Sequence, residues 1–268
     1  MPIPILPDTM EAWEQVLSSW DAWLLTFVLV AVVPVVGYLR FRRLTQGGRI
    51  VSQHAKLIAY ARTICLQWAL VGALLVVLKR HGLSAADDGE RIGDTDQTFW
   101  TTAAVLATTA GLAPFVWLRV RRSPLERLGR SVWHLRSFVP AFGTEMVVFM
   151  AVSLTAGTCE ELLWRGWLIN VLGVATGSVW LGVAFSAAVF GIGHAYQGWK
   201  GMLRTGLIGL QLALLFVFVG SLIPGQVLHA AVDLVACFAS ATAVSRLNAA
   251  ESARIVEHEP TAGSAGES

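Results

Sequence analysis

The chain is patterned in long apolar blocks separated by polar segments. Seven blocks occupy residues 22–39, 57–78, 99–118, 142–172, 179–195, 203–223 and 227–244. Most approach the roughly 20 helical residues that cross a hydrocarbon layer of ~30 Å. The pattern predicts an all-α, polytopic transmembrane bundle of seven helices, or of eight if the long fourth block forms two.

The blocks divide the chain into four parts. Residues 1–21 contain acidic but no basic residues, unlike the start of a secretory signal peptide, and we expect an external N-terminal extension. Residues 22–136 hold the first three helices and a basic surface segment. Residues 137–247 form a helical core. Residues 248–268 are rich in Ala, Ser, Gly and Glu, which predicts a disordered tail.

The loops differ in charge. Arginine and lysine are concentrated after the first and third blocks, whereas the loop after the second block is rich in aspartate. Because short cytoplasmic loops carry an excess of basic residues, the alternation predicts that the N-terminus lies outside. We expect the basic segment 119–136 to lie on the membrane surface and contact anionic lipid headgroups.

Composition supports the membrane prediction. Hydrophobic residues make up 55% of the chain and charged residues 14%, against about 25% charged in soluble domains. A net charge of +2 gives no sign of nucleic-acid binding. The three cysteines are widely spaced without a CxxC pair, which indicates neither a disulfide framework nor a thiolate zinc site. Abundant Ala, Val, Gly and Arg favour a bacterial source, so we expect the cytoplasmic membrane of a bacterial cell.

Ionisable residues inside the apolar blocks are the candidate functional residues. Each costs roughly 2.5–3.5 kcal/mol at bilayer depth on insertion scales, and so calls for an explanation. In the fourth block Glu161 and Arg165 are four residues apart and can pair on one helix face. Glu160 projects about 100° away without a local cation. A buried, unpaired carboxyl suits general acid–base chemistry.

Two further groups follow. Phe190 and His194 form an FxxxH motif, whose glycines at 191 and 193 would allow close helix approach. His229 and Asp233 are four residues apart in the last block, hence on one helix face. In that arrangement a carboxylate can hold one imidazole nitrogen while the other faces a substrate or ion.

Taken in order, the motifs EExxxR, FxxxH and HxxxD resemble those of the CPBP family of intramembrane proteases. The resemblance covers roughly residues 140–247. It implies a glutamate-dependent endopeptidase in which Glu160 activates water and His194 orients that water. His229 and Asp233 would stabilise the oxyanion.

The resemblance also gives supporting roles to Glu161, Arg165 and Phe190. One departure concerns Asp233, because the best-studied CAAX-processing members have HxxxN at this motif. An asparagine amide can donate to an oxyanion but an ionised aspartate cannot. Asp233 would therefore be protonated, or would orient His229 instead.

Alternatives remain open at this point. Glu160, His194, His229 and Asp233 could be zinc ligands, although HExxH is absent and the resemblance favours a site without metal or other cofactor. The expected partners are membrane lipids and a protein or peptide substrate; the oligomeric state is undetermined. A non-catalytic immunity or scaffold protein, or a proton-coupled transporter, could carry the same polar cluster.

Depth poses a difficulty for seven unbroken spans. His229 would lie near the outer end of its helix, while His194 would lie toward the inner side, far from it. We therefore expect a break or re-entrant turn in residues 142–172, around Gly157.

Overall fold

The computed structural model describes residues 9–45, 51–91, 94–132 and 138–258, and these residues form nine helices without a strand. The helices are α1 (Met10–Leu17), α2 (Trp20–Phe27, continuing through π-helical Val28–Val32 into Val33–Thr45), α3 (Gln53–Arg80), α4 (Thr95–Arg122), α5 (Leu125–Val132), α6 (Thr144–Glu160, continuing through π-helical Glu161–Trp167 into Leu168–Thr176), α7 (Val179–Gly193), α8 (Gly198–Val219, preceded by the 3₁₀ turn Ala195–Gln197) and α9 (Ile223–His258).

Each of the seven predicted blocks is a helix. Six are long and apolar enough to cross a membrane, namely those based on α2, α3, α4, α6, α8 and α9 within the described residues. The shorter α7 is also apolar. The predicted polytopic helical bundle is confirmed, and the chain is an integral membrane protein.

Helix α6 lies at the centre of the bundle. Half of its most apolar window is buried, whereas none of the corresponding window of α4 is. The amphipathic α1 covers one end of α6, where the rings of Trp13 and Trp167 are 5.9 Å apart. Trp167 Nε1 also donates to Thr26 Oγ1 of α2 at 3.1 Å. These contacts fix the element that carries both central glutamates.

The expected break at Gly157 was wrong. Helix α6 runs regularly through Gly157, and its irregular part is the π-helical segment Glu161–Trp167. At Gly157 a Cβ would lie 2.7 Å from Gln226 O of α9, so the glycine instead allows close packing of the two helices.

The short helix α7 bears on the depth difficulty. This helix has only 15 residues, which is about 22 Å at 1.5 Å per residue, and His194 is its C-cap. It therefore stops short of a full crossing of ~30 Å. In the structure the rings of His194 and His229 contact the same ring, that of Phe190, so the two histidines lie close together in the bundle.

The connection between α3 and α4 folds onto the turn between α8 and α9. Leu222 N donates to Gly89 O at 3.0 Å, and Ser221 Oγ donates to Arg91 O at 2.6 Å. Gln226 Nε2 of α9 donates to Glu90 Oε2 at 2.5 Å. The aspartate-rich loop is thus a packed part of the structure.

The predicted tail must also be corrected. Helix α9 continues to His258, beyond the expected start of disorder at residue 248. The sequence AAESARIVEH is rich in residues with high helix propensity, which explains the continuation. Residues 259–268 lie outside the described part of the chain.

Candidate active site

The two adjacent glutamates occupy different environments. Glu160 ends the regular part of α6, and Glu161 begins its π-helical segment. Such segments alter the angular spacing of side chains and are frequent at functional sites. Glu161 is completely buried, whereas the side chain of Glu160 is 18% exposed. The predicted difference between the two carboxyls is therefore present in the structure.

Glu161 anchors a buried network. Arg165 Nη1 donates to Glu161 Oε1 at 2.9 Å, and both side chains are almost completely inaccessible. The same carboxylate oxygen lies 2.8 Å from His229 Nδ1. Because an ionised carboxylate can only accept, Nδ1 of His229 carries a proton that it donates. Glu161 thereby orients the imidazole, a role that the sequence had offered to Asp233.

The other nitrogen of His229 faces the candidate base. Nε2 is 3.8 Å from Glu160 Oε2 and 3.8 Å from Asp233 Oδ2. Both separations exceed hydrogen-bond length, so this nitrogen is not engaged with either carboxylate. The Asp233 side chain is 39% exposed, which makes this side of the cluster the accessible one.

Phe190 connects His194 to the cluster. Its ring centroid is 4.8 Å from that of His194 and 5.7 Å from that of His229. The guanidinium carbon of Arg165 lies 4.1 Å from the centroid of the same ring, a cation–π contact. The ring of Phe190 thus contacts three polar side chains, those of His194, His229 and Arg165, and lies between them.

The tautomer of His194 follows from its hydrogen bond. Its Nδ1 lies 2.8 Å from Phe190 O, a carbonyl oxygen that can only accept. Nδ1 therefore carries the proton, and Nε2 of the neutral ring is an acceptor. A residue that orients a water molecule through one of its O–H groups needs such an acceptor.

Close helix contacts hold the cluster in place. At Gly209 of α8 a Cβ would lie 2.9 Å from Phe190 Cδ1 and 3.1 Å from Arg165 Nη2. Gly191 packs closely against α8, as the sequence predicted. Gly193 has no atom within 4 Å of an added Cβ, so the expected close approach at that position was wrong.

The charges of the cluster nearly balance. Three carboxyls, those of Glu160, Glu161 and Asp233, lie around two bases, Arg165 and His229. Full ionisation would leave one excess negative charge, and buried net charge is unfavourable. One additional proton makes the group neutral, so the cluster can accept and return a proton as peptide hydrolysis requires.

Sequence reasoning missed Gln67 of α3. Its Nε2 donates to Glu160 Oε1 at 2.6 Å. The sequence does contain a signal for this residue. Gln67 lies in the middle of a 28-residue helix, on the same face as the buried Tyr60, Val71 and Leu74. Because glutamine carries no charge, the cost of burying an ionisable residue does not point to it.

The zinc alternative has no preformed site in the described residues. Among them, no group of three or more His, Cys, Asp or Glu side chains is arranged to hold a metal ion. The Nδ1 atoms are used in hydrogen bonds, by Phe190 O for His194 and by Glu161 for His229. Because these bonds leave Nε2 of each ring as the nitrogen that could face a ligand, the absence of zinc stays a prediction.

Comparison with known proteins addresses the segment that contains this cluster. Residues 142–235 match the family model described as Type II CAAX prenyl endopeptidase Rce1-like. The family resemblance is confirmed for this segment. Glu160, His194, His229 and Asp233 all lie within the CAAX-protease-like segment, whereas Gln67 does not. No match was found among curated proteins or solved structures.

Proposed function

We propose that this protein is an intramembrane endopeptidase that hydrolyses a peptide bond in a protein or peptide substrate. The proposal depends on one observation: Glu160, His229 and Asp233 lie close together inside an apolar bundle. They lie on the accessible side of the buried Glu161–Arg165 ion pair. The match of residues 142–235 to a CAAX endopeptidase family supports proteolysis as the reaction.

In the proposed mechanism Glu160 is the general base. Its Oε2 takes a proton from a water that attacks the scissile carbonyl carbon. The neutral tautomer of His194 accepts the second O–H of that water and so orients it. Glu160 then returns the proton to the leaving amine, which restores the carboxylate.

His229 is the proposed oxyanion donor. Glu161 accepts from Nδ1, which leaves Nε2 of the protonated imidazole to donate to the developing negative charge. Removing one such donor typically costs ~10²–10³ in rate. A protonated Asp233, 3.8 Å from Nε2, can add a second donor in place of the asparagine of related motifs.

The proposed chemistry requires no metal ion. Hydrogen bonds to Phe190 O and Glu161 hold the two imidazoles in orientations set by protein groups alone. Exhaustive chelation should therefore leave the cleavage rate unchanged. Complete loss of cleavage with recovery on addition of zinc would contradict this part of the proposal.

We propose the bacterial cytoplasmic membrane as the location, supported by composition and by the apolar helices. The substrate is sought by comparing membrane and secreted peptides from cells that produce the wild type or the Glu160→Ala variant. Fragments present only with the wild type identify cleaved proteins. Identical fragment patterns from the two forms, at equal protein levels, would contradict the proposed protease.

A further inference from the structure

Gln67 lies outside the segment that resembles a protease family, yet it touches the proposed base. It occupies the middle of α3, whose buried face also carries Tyr60, Val71 and Leu74. This face packs against α6, the helix of both glutamates. Gln67 is the polar residue between apolar positions on this face of the helix. The side-chain amide of Gln67 therefore points toward Glu160 and its neighbours.

The two oxygens of Glu160 have different partners. Gln67 Nε2 donates to Oε1 at 2.6 Å, whereas Oε2 faces His229 Nε2 at 3.8 Å without a hydrogen bond. A carboxylate held at one oxygen has lost most of its rotational freedom. Because the amide occupies Oε1 of Glu160, Oε2 is the oxygen that remains available to water.

The other end of the amide is also informative. Gln67 Oε1 is buried and has no hydrogen-bond partner among the described residues. A buried carbonyl oxygen without a donor is unfavourable, and it lies on the same side chain as the nitrogen that contacts Glu160. Among the described residues, the hydrogen bond from Nε2 to Glu160 is therefore what fixes the orientation of this amide.

We propose that Gln67 is a positioning residue for the proteolytic reaction. Its amide fixes Oε1 of Glu160, favours the ionised carboxylate and aims Oε2 at the attacking water. This inference rests on the proposed function, because it assumes that Glu160 is the base. It extends the site to α3, so the first half of the chain contributes directly to the chemistry.

The kinetic test replaces the amide with an apolar group of similar size, Gln67→Met. Hydrogen bonds to charged groups contribute enough to predict a decrease in kcat of about 10- to 100-fold. KM should stay unchanged, because Gln67 acts through Glu160. The acidic limb of the kcat profile should move to higher pH, since the ionised carboxylate has lost a donor. Gln211→Met, an exposed position on α8, is the matched control.

The probes are two internally quenched peptides in lipid nanodiscs, one with a farnesylated CAAX terminus and one with an unmodified apolar segment. If Glu160→Gln cleaves as fast as the wild type, the proposed function fails and Gln67 has no base to position. If Glu160→Gln is inactive but Gln67→Met matches Gln211→Met in kcat and pH profile, the Gln67 proposal alone fails.

A readout without substrate completes the test. The carbonyl band of protonated Glu160 is identified in pH-dependent infrared difference spectra by its absence in Glu160→Gln. In Gln67→Met this band should persist to higher pH than in the wild type and in Gln211→Met. A band with an unchanged pH dependence would overturn the inference even if neither peptide is cleaved.

Discussion

Neighbouring residues of one motif serve separate purposes in this site. Glu160 is partly accessible and hydrogen-bonded to Gln67, whereas Glu161 is sealed between Arg165 and His229. The π-helical start at Glu161 gives the two carboxyls different directions. Catalysis and stability are therefore expected to depend on different members of the pair.

Replacement of Glu161 by Gln should reduce stability. Arg165 would remain buried without its counter-charge, and breaking a buried pair in this way costs about 3–5 kcal/mol. The midpoint of thermal unfolding in detergent should fall clearly, while Glu160→Gln should leave it near the wild-type value. A larger loss of stability in Glu160→Gln than in Glu161→Gln would contradict this division of roles.

At the residue scale the sequence predicted charged members of the site better than neutral ones. Glu160, Arg165 and His229 could be recognised because an ionisable side chain is costly in an apolar block. Gln67 carries no charge, so the same reasoning gave it no weight. The hydrogen bond from His229 to Glu161 joins two distant segments, and only the fold brings them together.

At the scale of elements, the predicted apolar blocks correspond to helices because hydrophobic length is a local property of the chain. Helices α3 and α4 extend further than their predicted blocks, because both end in basic residues that remain helical. The short α7 and the π-helical part of α6 depend on packing against neighbours. Their geometry could not be obtained from hydrophobic pattern alone.

The loop between α3 and α4 contains an unusual carboxyl. Asp88 is completely buried against Gly166 of α6, and neither carboxyl oxygen has a hydrogen-bond partner among the described residues. Burial, and then the nearby Glu90 and Asp87, raise the pKa of Asp88 well above its ordinary value. Burial also raises the pKa of Glu90, opposed by the hydrogen bond from Gln226.

The raised pKa of Asp88 predicts that Asp88→Asn stabilises the protein. The folded state binds the proton more tightly than the unfolded state, so stability falls as pH rises from about 4 toward the folded pKa. At neutral pH the asparagine avoids this loss, and the thermal midpoint in detergent should rise.

The gain from Asp88→Asn should shrink as pH falls and vanish well below pH 4, where Asp88 is protonated in both the folded and the unfolded state. Asp96→Asn, at an exposed position at the start of α4, is the control and should give no gain. A lower midpoint for Asp88→Asn than for the wild type at neutral pH would show that the charged carboxylate is favourable in this loop.

At the scale of the whole molecule, charge in the loops predicts how the bundle lies in the membrane. The acidic loop before α4 and the basic segment after it should lie on opposite sides, with the basic side cytoplasmic. Helix α5 of that segment packs through Leu128 and Val132 onto Ala243 of α9, which leaves its exposed arginines available to lipid headgroups.

Cysteine labelling tests this orientation. Ala86 and Arg127 are exposed positions in the acidic loop and in α5. A membrane-impermeant maleimide should label Ala86→Cys on intact cells and Arg127→Cys only after permeabilisation. The wild type, whose exposed Cys65 lies in the middle of α3, is the control. The reversed labelling pattern would place the N-terminus inside.

The central claim is that a glutamate in the middle of α6 activates water for peptide hydrolysis. The most direct measurement is kcat for Glu160→Gln, a change that keeps the size of the side chain, on a peptide identified as a substrate and in lipid nanodiscs. General-base catalysis predicts a decrease of about 10²–10⁴-fold, with thermal stability retained. Cleavage at the wild-type rate by a correctly folded Glu160→Gln protein would contradict the account.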